Sequence, residues 1–176
     1  ENGKVYYQPQ SMNQCLNLLT QYSSQDCQLL VGNSGSSVSK YYTTTNTSSN
    51  IIIDITRIPE LSKIKMNDTS VDFGATVTLK KMIATFEQIL SAYPQATNMI
   101  ALIRHMKLIA NRHVRHVASW AGNIMTCANF PSFPSDLATL LVCLNAQVSI
   151  MNTDQLIKKI SLKDLLKNKL KKNELL

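Results

Sequence analysis

Leu29-Leu30-Val31-Gly32-Asn33-Ser34-Gly35-Ser36-Ser37 is an apolar run that empties abruptly into small and hydrogen-bonding residues. Backbone amides in such a turn can converge on a phosphate, because glycine allows positive φ and close approach while Asn and Ser add donors. The segment lacks Gly-Lys-Ser/Thr, so it is not an ATPase P-loop, and it does not match G-x-G-x-x-G. By itself it is also what a plain hairpin turn looks like. A second segment of similar chemistry is Ser119-Trp120-Ala121-Gly122-Asn123-Ile124, which follows the basic Arg112-His113-Val114-Arg115-His116. Ser, Gly and Asn before an apolar stretch suit a diphosphate held by neutral donors. Downstream, Asp136 in Phe133-Pro134-Ser135-Asp136-Leu137 offers a carboxylate to ribose hydroxyls, although Ser135 and Asp136 would serve equally as a helix N-cap.

Other reactive constellations are poorer. His105, His113 and His116 have no carboxylate or cysteine at ligand spacing and read as surface residues, so no metal site is expected. There is no paired-acid motif, no G-x-S-x-G and no cysteine with a credible histidine base, so no catalytic residue is assigned. Met82, Met99 and Met106 read as core filling. Cys15, Cys27, Cys127 and Cys143 form no C-x-x-C pair and follow no signal-peptide pattern, so they are expected to be buried free thiols in a reducing compartment. The sequons at Asn46 and Asn67 carry little weight in such a chain. No apolar run approaches the roughly 20 residues that span a bilayer, and a cytoplasmic protein without a membrane partner is expected.

The net charge of +7 is unevenly distributed. Lys158 to Lys172 holds seven of the eighteen basic residues and one of the eleven acids, so the rest is nearly neutral. A terminal lysine run without interleaved aromatics or arginines reads as a solvated face, and nucleic acid is not an expected partner.

The elements that would position these segments follow from periodicity. Val5 to Gln8 reads as a strand, and Ser11 to Tyr22 as a helix behind a Ser11–Gln14 capping box. Cys27 to Val31 reads as a buried strand, Tyr41 to Asn50 as an exposed loop, and Ile51 to Ile55 as a strand. Ile58 to Leu61 is a turn, followed by short strands at Ile64 to Met66 and Val71 to Ala75. The period then changes: helices are expected over Thr78 to Tyr93, Thr97 to Ala110, Ser135 to Leu144 and Ser161 to Lys167, with a strand at Gln147 to Met151. With 44% hydrophobic residues the chain is globular, and its element order is α+β.

Seven short pieces, taken together and in order, resemble the flavin domain of aldehyde oxidases and xanthine dehydrogenases, the molybdenum hydroxylases, with insect aldehyde oxidases near in pattern. They are Leu30 to Ser34; Ile53-Asp54-Ile55 with Ile58 to Leu61; Phe73-Gly74-Ala75 with Val77-Thr78-Leu79; His105-Met106 with Ile109-Ala110; Val114-Arg115; Ala118-Ser119 with Gly122-Asn123; and Phe133 to Leu137. The likeness runs from about Val5 to Leu176.

This resemblance implies a two-subdomain FAD-binding fold of the vanillyl-alcohol-oxidase (PCMH) type, with subdomains at 1–60 and 61–176 and the chain ending before a third flavin subdomain. It implies that Leu29 to Ser37 wraps the FAD diphosphate, that Ser119, Gly122 and Asn123 hold it from the other side, and that Asp136 binds ribose. Ile109, Ala110 and Leu176 would lie at the adenine and Met125 near the flavin ring. Three positions depart from the family pattern: Ser37 and Ala121 replace glycines, and Ile109 stands where some relatives have phenylalanine. In the whole enzyme the family oxidises aldehydes or purine-like heterocycles at molybdopterin. Electrons then pass through two 2Fe-2S clusters and FAD to oxygen or NAD, in what is expected to be a homodimer whose other domains are this segment's partners. The competing expectation is a non-catalytic or cofactor-free binding protein that retains the fold.

The charge distribution gives a direct test. Random duplex DNA should not bind the chain at micromolar concentration in about 0.15 M salt; salt-sensitive binding lost on removal of residues 158–176 would refute this.

Overall fold

The computed structural model of the chain describes residues 3–23, 27–36, 41–42, 49–168, 170 and 174–176. Ser37, Lys40, most of the expected 41–50 loop and part of the lysine-rich end lie outside the described residues.

The N-terminal part is built around one strand. β1 (Val5–Tyr7), β2 (Cys27–Leu30) and β3 (Ile51–Asp54) form a three-stranded parallel sheet in the order β1-β3-β2, with α1 (Met12–Gln21) between β1 and β2 in sequence. Val5 pairs with Ile51 on one side of β3 and Cys27 with Ile51 on the other. The isoleucine run suits the central position, since a strand covered on both faces reads as continuously apolar rather than alternating. Ile51 and Ile53 are buried, and with Cys15, Ile55 and Ile58 they form a small core under α1. The helix is set by its cap: Ser11 Oγ accepts from the Gln14 amide at 3.3 Å, and Gln14 Oε1 accepts in return from the Gln10 amide at 2.7 Å. Burial of β2 departs from expectation. Gln28 and Leu29 are exposed and Cys27 and Leu30 half-buried, because β2 is an edge strand with one neighbour.

Asp54 closes the far end of this sheet. Oδ1 accepts from the Thr56 amide (2.9 Å) and hydroxyl (2.6 Å), and Oδ2 from Tyr6 Oη (2.6 Å) and Gln8 Nε2 (2.9 Å). Burial alone would raise its pKa, but the hydrogen bonds from Thr56, Tyr6 and Gln8 outweigh it and hold the carboxyl below its ordinary value.

The chain crosses to the second part through a 3-10 turn at Pro59–Ser62 and a hairpin of β4 (Ile64–Met66) and β5 (Val71–Phe73). β5 stops short of the expected Ala75, because Gly74 turns so closely past Leu61 that a Cβ there would lie 2.2 Å from the Leu61 carbonyl oxygen. Helices α2 (Leu79–Ala92) and α3 (Asn98–Leu108) agree with the apolar stripes. Two further helices, α4 (Arg112–Val117) and α5 (Trp120–Asn129), occupy the segment read from sequence as basic residues and a turn. α6 (Asp136–Cys143) follows, with Ser135 Oγ accepting from the Ala138 amide at 3.0 Å.

The last sheet is antiparallel, β7-β6-β8, from β6 (Gln147–Asn152), β7 (Ile157–Ser161) and β8 (Glu174–Leu175), with α7 (Leu162–Lys167) between β7 and β8 in sequence. Val148 and Ile150 of β6 and Leu162 and Leu165 of α7 join Met82, Met106, Ile124 and Leu137 in the main core. The cysteines carry no disulfide: Cys15 is buried, and desolvation pushes its thiol up to about 11. Cys143, expected to be buried, is exposed because it ends α6 on the side away from the core. Among the described residues no helix is long and apolar enough to cross a membrane.

Because the folded-state pKa of Asp54 is lowered, its contribution to stability is present above the ordinary carboxylate range and is lost as pH falls through the depressed value. Asp54→Ala should cost on the order of 1–2 kcal/mol at pH 7, since its donors reach water once released. In urea unfolding at pH 7 and pH 3, the gap between wild type and Asp54→Asn should shrink at the lower pH; an unchanged gap would disprove the assignment.

Candidate functional site

The loop that leaves β2 lies at the C-terminal edge of a parallel sheet, where the chain turns away from the strands and backbone groups are free to meet a ligand. Asn33 takes the left-handed conformation, with φ 49°, whereas none of the glycines has positive φ. Asparagine tolerates this region better than other side-chain-bearing residues. The glycines serve a different purpose. A Cβ on Gly32 would fall 2.0 Å from the Val117 carbonyl oxygen, so the loop is pressed backbone to backbone against the end of α4. At Gly35 the nearest atom would be Thr126 Oγ1 of α5, at an ordinary 3.6 Å. Ser36 Oγ donates to the Asn33 carbonyl at 3.1 Å and closes the turn. The amides of Gly32, Asn33, Ser34 and Gly35 donate to no backbone carbonyl among the described residues. A run of unpaired amides in a turn is a nest for an anion.

Across from the loop, a short antiparallel bridge between Thr78 and Ser119 sets two helix starts side by side. Leu79 N donates to Ala118 O at 3.0 Å and Trp120 N to Val77 O at 3.2 Å. The Trp120 indole donates to the Gly74 carbonyl at 2.8 Å and anchors the first turn of α5 to the β5 end. Ser119 is the buried N-cap of α5, its Oγ accepting from the Gly122 amide at 3.1 Å. Gly122 and Asn123 therefore sit in a helical first turn rather than in a glycine turn. Ala121 is helical and buried without positive φ, so its methyl imposes no backbone strain there.

Asn123 Oδ1 accepts from Ser135 Oγ at 2.5 Å, which joins the first turn of α5 to the N-terminus of α6 and orients the amide so that Nδ2 remains a donor. Asp136 follows as the first residue of α6; its carboxylate is exposed and without a hydrogen-bond partner among the described residues. Met125, half-buried, lies one turn further along α5 than Gly122. Ile109 and Ala110 form the corner between α3 and α4, and Ala110 has φ 52°, a conformation that costs a non-glycine residue roughly 1–2 kcal/mol. Arg115 Nη1 donates to the carbonyls of both, at 2.9 and 2.7 Å. Leu176 lines a small apolar cleft with Leu29, Met12, Cys15, Ile55 and Leu61.

The structure thus gathers Gly32 to Gly35, Val117, the first turn of α5 and the start of α6 into one region, with the 109–110 corner at the other end of α4. Ser37 lies outside the described residues. Sequence reasoning missed the backbone carbonyls that the Arg115 and Trp120 side chains reach. Asn111 and Ser119, each followed three residues later by the amide it caps, were the available signals for α4 and α5. Among the described residues no cluster of His, Cys, Asp and Glu forms a metal site. The donor set fits an anionic, phosphate-bearing cofactor: neutral amides and Asn side chains, helix starts and no nearby fixed acid except Asp136.

Comparison with known proteins agrees with this chemistry. The family described as "FAD binding domain in molybdopterin dehydrogenase" matches residues 2–176. An indole-3-acetaldehyde oxidase of Arabidopsis thaliana is 38% identical over 114 residues, 65% of this chain and 9% of that protein. Xanthine dehydrogenase 1 of the same plant is 27% identical over 164 residues, 92% of this chain and 12% of that protein. The chain therefore spans about a tenth of the length of the curated relatives it matches. A carbon monoxide dehydrogenase chain from Hydrogenophaga pseudoflava superposes with a TM-score of 0.75 at 25% identity, covering 97% of this chain and 56% of that one. Quinoline 2-oxidoreductase from Pseudomonas putida 86 shares the fold at the same TM-score and 18% identity. With the loop, the capped helix starts and the family match in agreement over nearly its whole length, the chain belongs to the family of FAD-binding domains of molybdopterin dehydrogenases.

Proposed function

We propose that this chain holds FAD extended between two subdomains, 1–60 and 61–176, in the vanillyl-alcohol-oxidase (PCMH) manner. The observation that carries this is the row of amides at Gly32 to Gly35 that donate to no backbone carbonyl among the described residues, in a loop held against α4 by the close approach of Gly32 to Val117. In this reading the loop from Leu29, Leu30 and Val31 through Ser36 and Ser37 wraps the diphosphate. Asn123 donates through Nδ2, Ser119 and Gly122 hold the α5 start in place, and Asp136 accepts from a ribose hydroxyl. Ile109, Ala110 and Leu176 border the adenine, and Met125 borders the flavin ring. Bound FAD supplies one- and two-electron redox chemistry, while the protein supplies position and electrostatics.

The wider role is proposed on the same basis. The segment would pass electrons from two 2Fe-2S clusters toward oxygen or NAD in a molybdopterin enzyme acting on aldehydes or purine-like heterocycles. Its partners would be the iron–sulfur and molybdenum domains, in a cytoplasmic homodimer. The named relatives, aldehyde oxidases and xanthine dehydrogenases, support this class of activity.

Fluorescence titration of the FAD-free chain tests the cradle. Asn33→Gly keeps the left-handed backbone but removes the side-chain donor. Asn123→Asp keeps the acceptor for Ser135 but replaces the remaining donor with a charged oxygen. Each should weaken FAD on the order of tenfold or more, consistent with loss of a hydrogen bond to a charged group. Lys40→Ala should change affinity little, and a dominant effect there, or none at either asparagine, would sink the proposal. Gly32→Ala should also lower stability by about 1–3 kcal/mol in urea unfolding, because backbone rather than a flexible side chain must move to admit the methyl. Wild-type stability in that variant would mean the loop does not pack as described.

A further inference from the structure

We propose that Arg115 is a positioning residue for the proposed FAD site: a clamp whose two hydrogen bonds hold Ala110 in its left-handed conformation and so fix the Ile109–Ala110 corner. This rests on Ile109 and Ala110 being cofactor contacts.

The corner is an awkward piece of backbone. α3 ends at Leu108, Ile109 is extended at φ −69° and ψ 120°, Ala110 is left-handed at φ 52°, and Asn111 returns to an extended conformation at φ −92° and ψ 172° to cap α4. Asn111 Oδ1 accepts from the Val114 amide at 2.9 Å, which holds the residue after the corner. Before the corner, Ile109 N donates to Met106 O at 3.2 Å. Between these two fixed points the carbonyls of Ile109 and Ala110 have no acceptor role in either helix. They are taken by a single group, Arg115 Nη1, at 2.9 and 2.7 Å.

Charge and geometry favour arginine here. Arg115 lies in the last turn of α4, and its side chain folds back beside the start of its own helix to reach carbonyls five and six residues earlier. A planar, permanently charged guanidinium can share one nitrogen between two successive carbonyls without being deprotonated. Alanine gains nothing from a left-handed conformation on its own account: it has no side-chain hydrogen bond to offer, unlike Asn33. Something outside the residue must over-determine its φ, and Arg115 makes the contacts with both of the corner's carbonyls. The same helix carries Val117, against which Gly32 packs, so α4 connects the corner to the amide-bearing loop.

The test is a rescue experiment on the full chain. Glycine adopts positive φ freely, so Ala110→Gly should restore what loss of the clamp removes. Arg115→Met should weaken FAD about tenfold by fluorescence titration, and should weaken ADP, measured by competition with FAD, to a similar extent. The double variant Arg115→Met/Ala110→Gly should return to within about threefold of wild type. Arg115→Lys, which keeps the charge but loses the planar group, should fall between and covers the case in which Arg115→Met does not fold. In FAD-free protein, the midpoint of urea unfolding should drop in Arg115→Met and recover in the double variant. Unchanged FAD affinity in Arg115→Met, or failure of Ala110→Gly to rescue either readout, would overturn the clamp. Wild-type chain that binds no FAD would instead refute the cofactor reading, and the unfolding comparison would still decide whether Arg115 fixes the corner.

Discussion

The approach of Gly32 to the backbone of Val117, too close to admit a Cβ, is the constraint on which the arrangement of the site depends. It joins the loop at the end of a small parallel sheet to the junction of two helices, and it does so without side chains. Because no Cβ fits, the loop amides lie near the start of α5 rather than a side chain's width away. The sheet beneath is held square by Asp54, which receives hydrogen bonds from Tyr6 in β1, from Gln8 just past it and from Thr56, two residues beyond the end of β3. A carboxylate buried among four donors at the rim fixes where β2 ends, since Leu30 is in register with Asp54. Position then passes from Asp54 to β2, from β2 to the loop, and from the loop to α4.

On the other side the positioning devices are helix caps. Thr78, Asn111, Ser119, Ser135 and Ser161 each accept from an amide in the first turn of the helix they precede. Two of them do more than cap. Ser119 is bridged to Thr78, so α2 and α5 start from a common point, and Ser135 also donates to Asn123. Capping thus sets both the local ends of helices and their mutual placement. That is why neutral, short polar residues concentrate where a charged diphosphate would lie.

Much of this was legible in the sequence where one physical signal dominated. The isoleucine run of β3, the Ser11–Gln14 cap and the apolar stripe of α2 each depend on local pattern, and each was read correctly. The misreadings have local causes as well. Gly122 and Asn123 are weak helix formers, so α5 looked like a turn until the cap at Ser119 and the indole hydrogen bond of Trp120 are taken into account. β7 carries two adjacent lysines and pairs along its length with β6, so its strand character comes from a partner rather than from its own alternation. The exposure of β2 follows from its place at a sheet edge, which composition does not reveal. In the candidate site, the sequence marked the glycine-bearing segments but not their division of labour. Gly32 supplies closeness, Asn33 supplies the left-handed turn, and Arg115 acts from a residue whose partners are backbone carbonyls and so leave no mark in sequence.

The order β1-β3-β2 also has a consequence for how the chain is made. β1 and β2 do not pair with each other; both find their partner only in β3, with Val5 opposite Ile51, 46 residues later in sequence. During synthesis, the first two strands and the helix between them therefore emerge with their hydrogen-bonding edges unmet, and the sheet can form only after Asp54 has left the ribosome. Parallel pairing at such separation requires loop closure before any ladder energy is gained, so this sheet should be a late and slow step of folding. The helical second part is rich in local contacts and is made afterwards, so a nascent chain carries an unfinished sheet while the faster half is still being added.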